Sequence, residues 1–95
     1  MVMDKTEAKG ILREQLEQFR KRSYSELTQL INQPETLTVR GDSGTNYGLE
    51  FEVFWDHEPG KDLRVIGSID DGAWHALSPL SDDFIMRNDG SFVGE

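Results

Sequence analysis

The chain has 95 residues, no cysteine, 36% hydrophobic and 29% charged residues, and a formal net charge of −8. These figures exclude a disulfide framework, a thiolate metal site and a cysteine nucleophile, and the apolar fraction is too high for a disordered chain. No apolar stretch exceeds four residues, so no segment is long enough to span a membrane as a helix.

Charge is unevenly placed. Residues 1–33 hold six Lys/Arg and five Asp/Glu, for +1, whereas residues 34–95 hold four and thirteen, for −9. Nucleic-acid binding depends on basic neutralisation of phosphates, so no nucleic-acid partner is expected. Two readings of the acidity stand: a basic partner protein, or a solvated acidic surface that maintains solubility. Residues 1–10 contain no apolar run of the secretory type. With no cysteine, a cytoplasmic location is expected.

Asp4 followed by Glu7 has capping-box spacing and marks a helix start. Ala8, Leu12, Leu16 and Phe19, with Ile11 beside them, form one apolar stripe. Arg20, Lys21 and Arg22 fall where cations complement a helix C-terminus. Ser23 and Glu26 repeat the capping spacing, so the helix restarts, and Tyr24, Leu27, Leu30 and Ile31 extend the apolar face as far as Pro34. The helical portion is read as 4–33.

After Pro34 the period changes from helical to alternating. Leu37 and Val39 suggest a short strand, and Gly41 to Asn46 a loop. Tyr47, Leu49, Phe51, Val53 and Trp55 then alternate strictly with polar neighbours (Phe54 excepted), the pattern of a strand with one buried face. A turn at 57–61 leads to a third strand with Leu63, Val65, Gly67 and Ile69 on its inner face. Asp71-Gly72 suits a type I′ hairpin, which would set Ile69 opposite Trp74 and Gly67 opposite Ala76, burying Trp74. Phe84-Ile85-Met86, a turn at Asn88-Asp89-Gly90 and Phe92-Val93 read as a further hairpin with a bulge at Gly90. The expected fold is a single α+β domain over 1–95: an N-terminal helix or helix pair on one face of an antiparallel meander of four or more strands, with the sheet over 36–95.

The same hairpin register pairs Ser68 with His75 and Ile66 with Leu77 on the outer face, with Phe54 nearby. Phe54, Ile66 and Leu77, bordered by Arg64 and His75, form the candidate binding site. Two explanations stand for apolar residues there: the C-terminal hairpin folds back as a lid, or the group is an interaction patch.

Chemical motifs are sparse. Arg40-Gly41-Asp42 spells an integrin-binding tripeptide, but a short match is weak and a turn glycine accounts for it. The acidic pairs Asp70-Asp71 and Asp82-Asp83 lack EF-hand spacing, and Asp71 and Asp89 each precede a turn glycine. His57 and His75 lack zinc-ligand spacing. Ser68 beside His75, with Asp70 as orienter, imitates a nucleophile and base, but Ser68 sits mid-strand without a nucleophile elbow. Phosphate-loop and dinucleotide fingerprints are absent. No catalytic residue, metal site or cofactor is therefore expected.

Arg22-Ser23-Tyr24-Ser25-Glu26-Leu27, Val65-Ile66-Gly67-Ser68-Ile69-Asp70-Asp71-Gly72, Pro79-Leu80-Ser81-Asp82-Asp83-Phe84-Ile85 and Asp89-Gly90-Ser91-Phe92 together resemble a family of small bacterial proteins with no assigned activity. The resemblance covers most of the chain after Lys21 and implies no chemistry. The functional expectation is a non-catalytic protein-binding or regulatory module, partnered by a basic protein or by itself through the outer sheet face. The alternative is a small enzyme with a site built from His57, His75 and nearby acidic residues.

Overall fold

A computed structural model describes residues 4–72 and 80–95. Helix α1 (Lys5–Arg20) and the short helix α2 (Tyr24–Thr28) precede four strands, β1 (Glu35–Arg40), β2 (Asn46–Trp55), β3 (Leu63–Asp70) and β4 (Leu80–Met86). The strands form one antiparallel sheet in the order β1-β2-β3-β4, a meander. The helices pack on one face, α1 against β3 and β4 and α2 against β2 and β3. The fold is thus the expected α+β arrangement.

Both helix starts follow their sequence signals. The Asp4 carboxylate accepts from the Glu7 N–H at 3.0 Å. Ser23 and Glu26 close a full capping box over α2, with bonds of 3.1 and 3.2 Å. Glu7 does not close the first box; its carboxylate crosses to the β1–β2 turn instead. It accepts from the Ser43 hydroxyl at 2.6 Å, the Ser43 N–H at 3.0 Å and the Tyr47 hydroxyl at 2.7 Å. Past α2 the chain turns through Asn32, whose φ of 64° is left-handed, and Ile31 makes a parallel bridge to Val53 where β1 has not yet begun.

The core lies between the helices and the inner sheet face. Ala8, Leu12, Leu16, Phe19 and Leu27 meet Tyr47, Leu49, Phe51, Val53, Leu63, Val65, Ile69, Phe84 and Met86. Phe19 and Phe51 have ring centroids 4.5 Å apart. Gly67 admits α1 closely: a Cβ there would lie 2.6 Å from Phe51 Cε1 and 2.9 Å from Leu12 Cδ1.

Two turns share one geometry. Gly41 N–H donates to the Thr45 carbonyl and Gly44 N–H to the Gly41 carbonyl, while Arg87 and Gly90 repeat the pair with Ser91 and Arg87. Gly44 and Gly90 occupy the left-handed region at φ 88° and 89°. Each is a type I turn closed by a G1 bulge, which the sequence indicated at Gly90.

The hairpin register after β3 differs from expectation. Ile69 is opposite Leu80, Gly67 opposite Asp82, Ser68 opposite Ser81 and Ile66 opposite Asp83. The other side of β3 is taken by β2, so Ile69–Trp74, Gly67–Ala76, Ser68–His75 and Ile66–Leu77 are not pairs of this sheet. Gly72 does adopt φ 80°, with its N–H bonded to Asp70 Oδ1 at 2.7 Å, but β3 does not find its partner until Leu80. The observed register sets Leu63 against Met86, Val65 against Phe84 and Ile69 against Leu80 on the helix side. Three large apolar pairs there reward this alignment. Trp74, His75, Ala76 and Leu77 lie outside the described residues.

The C-terminal segment is also placed differently. Phe92 bridges Met86 and packs edge-on against Phe84 at 5.6 Å, on the helix side of the sheet. Arg20 at the end of α1 lies over both rings, 5.0 and 4.7 Å from their centroids, and bonds Glu95 at 2.6 Å. The segment buttresses α1; it is not a lid on the outer face. Arg22 lies 4.2 Å above Phe19 and bonds Glu35 at 3.2 Å, so two of the three basic residues at 20–22 are engaged in packing.

Candidate functional site

The outer face of the sheet is set by the even-numbered positions of β1 to β3 and their partners on β4. Across the strands they fall in rows: Thr38, Gly48 and Asp70; Thr36, Glu50, Ser68 and Ser81; Glu52, Ile66 and Asp83; Phe54, Arg64 and Ile85. No described helix packs on this face. Phe54 is 36% exposed, and Ile66 and Ile85 are half-buried.

Arg64 divides the apolar residues. Its Nε and Nη2 donate to Asp56 Oδ1 at 2.9 and 2.8 Å, and its Nη1 pairs with Asp83. Asp56, whose side chain is only 10% exposed, grips one side of the guanidinium while Asp83 on β4 grips the other. The Asp56 hydrogen bond leads in raising the Arg64 pKa, and desolvation opposes it. Both carboxylates engage Arg64, which stands in the row between Phe54 and Ile85.

Among the described residues Glu50 and Glu52 make no ion pair. Above them, Thr36, Thr38, Gly48, Glu50, Ser68 and Asp70 line a shallow trough of about 500 Å³. The trough offers two carboxylates and three hydroxyls to a ligand and adjoins the row of Glu52 and Ile66, beyond which Phe54 stands. That chemistry suits a cationic side chain with an aliphatic stem.

Of the residues expected from sequence, Phe54, Arg64 and Ile66 share this face; His75 and Leu77 lie outside the described residues. Ile85, Asp56, Asp83 and the trough residues were missed. Their signal was the alternation Leu80, Asp82, Phe84, Met86, which identifies β4 and puts Ile85 and Asp83 outward. His57 stands in the 57–61 turn with its side chain 85% exposed, and Nε2 lies 3.3 Å from Asp56 Oδ2. Ser68 is flanked across the sheet by Glu50 and Ser81. Among the described residues no group of three or more His, Asp or Glu side chains is arranged to hold a metal ion, and no helix is long and apolar enough to cross a membrane.

Comparison with protein-family models, curated proteins and solved structures returns no match to this chain.

Proposed function

We propose that the protein is a non-catalytic binding module that recognises a basic partner protein through the outer face of its sheet. The observation that carries this reading is exposed Phe54 on the same face as the carboxylates of Glu50 and Glu52, which have no ion partner among the described residues, where no described helix packs. An apolar anchor beside unpaired charge is the composition of an interface centre with a steering rim. Opposite-sign charge on the partner would accelerate encounter and make association salt-dependent. Arg64 beside Phe54 is already paired with Asp56 and Asp83 and is not a free cation.

Co-purification from native extract, followed by binding measurements with the purified recovered protein, tests the reading. A stoichiometric basic protein should bind, with affinity falling as salt rises. Phe54→Asp should abolish binding while leaving the fold intact, because Phe54 is not part of the core. Equal binding by Phe54→Asp and by Glu50→Lys would overturn the assignment of this face.

A further inference from the structure

Among the described residues β1 is paired on one side only, with β2. The turn decides which backbone groups are left over. Gly41 N–H donates to the Thr45 carbonyl at 2.8 Å, so 41 and 45 are a hydrogen-bonded pair. Bonded and non-bonded pairs alternate along an antiparallel ladder, so Val39–Tyr47, Leu37–Leu49 and Glu35–Phe51 are the bonded pairs of β1 and β2. The other side of β2 agrees: Asp56 N–H donates to the Asp62 carbonyl at 2.9 Å, directing the even-numbered residues of β2 to β3 and the odd ones to β1. Thr36, Thr38 and Arg40 therefore turn their N–H and C=O groups away from the sheet.

The opposite edge is closed in part, since Val93 N–H donates to the Ile85 carbonyl and Met86 bridges Phe92. The β1 edge has no such cover among the described residues. It also has no proline, lysine or bulge of the kind that blunts an edge strand. Leu37 points to the helix side yet is 41% exposed, because the helices sit over β2, β3 and β4.

We propose that β1 pairs antiparallel with β1 of a second copy of this chain, about a two-fold axis at Thr38. In that register Thr38 meets Thr38 of the copy and Thr36 meets Arg40. Each bonded pair exchanges both N–H···O=C bonds, so every outward group of the three residues is used. Leu37 comes opposite Val39 of the copy at a non-bonded position, where side chains approach most closely. The exposed Leu37 is thereby covered on the helix side by a residue of matching chemistry. A register centred on Leu37 would instead set Arg40 against Pro34, which has no N–H to give. Charge does not oppose the contact: Glu35 is held by Arg22, Arg40 is basic, and Glu50 and Glu52 lie on β2. This specific self-complementarity favours a second copy over an unrelated extended peptide. The two sheets join into one, and the outer faces of both copies lie on the same side of it.

Sedimentation equilibrium of the full chain should give twice the chain mass. The Thr38 and Arg40 amides should exchange slowly with solvent, and more slowly at higher protein concentration. Thr38→Pro removes an outward N–H without touching the β1–β2 ladder, and should give a folded monomer by circular dichroism and cooperative melting. If that substitution unfolds the chain, Leu37→Lys decides, because it leaves the backbone intact and should raise the dimer dissociation constant at least tenfold. A wild-type chain that stays monomeric to about 1 mM, a dimer untouched by Leu37→Lys, or a dimer whose Thr38 and Arg40 amides exchange freely would overturn the proposal. So would protection of those amides only on addition of an unrelated extended peptide.

Discussion

At Glu7 one carboxylate joins the first turn of α1 to the β1–β2 turn. The Ser43 hydroxyl, then the Tyr47 hydroxyl and the Ser43 N–H, hold its pKa below the ordinary 4.5. A depressed folded pKa means that the contribution to stability is present above the unfolded value and is lost as pH falls through the folded one. Glu7→Gln should therefore lower the melting temperature at neutral pH and flatten its fall in acid, measured by thermal melts across pH. Tyr47 is displaced the other way: burial first, and then Glu7, push its phenol up to about 12. Its contribution is present below the ordinary phenol pKa of about 10 and is lost as pH rises through the folded value of about 12. In Tyr47→Phe, tyrosinate absorbance should lose the step near pH 12. Gly41 belongs to the same unit, because a Cβ there would sit 2.6 Å from Glu7 Oε1. Gly41→Ala should destabilise, and combining it with Glu7→Ala should add little, since both remove one contact. A side chain at Gly41 would have to displace the carboxylate of Glu7, 34 residues upstream. The capping pattern located the helix start but not the true use of Glu7, which depends on where a distant turn arrives.

Within single elements, the strands were legible wherever burial alternated. β2 repeats exposed and buried positions along nearly its whole length, and β3 alternates likewise, because a pleated strand with one covered face permits nothing else. The β3–β4 connection was not legible. Asp71-Gly72 carries a strong local turn signal, yet only Gly72 takes the positive φ that a type I′ turn needs at both positions, and partner choice was decided by non-local pairing of Leu80, Phe84 and Met86 with Ile69, Val65 and Leu63. The outer-face site was half legible for the same reason: Phe54, Arg64 and Ile66 follow from parity, whereas Asp83 and Ile85 need the correct β4. Gly67 tests the closeness of α1. Gly67→Ala should cost about 1–3 kcal/mol by overpacking against Phe51 and Leu12, measured by urea unfolding. At the last turn, Gly90→Ala should cost roughly 1–2 kcal/mol because of its left-handed φ of 89°. Removing residues 84–95 should unfold the chain outright, since Phe84 and Met86 are core, rather than unveil a dye-binding outer face.

Among the described residues the two faces of the sheet differ in chemistry. The helix side carries the aromatic and guanidinium stacking; the outer side carries Glu50, Glu52 and Asp70. Glu50→Lys with Glu52→Lys should leave the melting temperature within a few degrees, as expected for exposed positions. The same pair should slow association with a basic partner and reduce its salt dependence. Helix α1 meanwhile is fastened at both ends to distant chain, by Glu7 to Ser43 and Tyr47 and by Arg20 to Phe84, Phe92 and Glu95. A helix forms in about a microsecond from local contacts, but these anchors require loops of tens of residues to close first. α1 should therefore coil early and dock late. Substitutions at its anchors should chiefly hasten unfolding, while substitutions in the β2–β3 hairpin should slow refolding. In that order of events the helix would be a latch closing on a sheet already assembled.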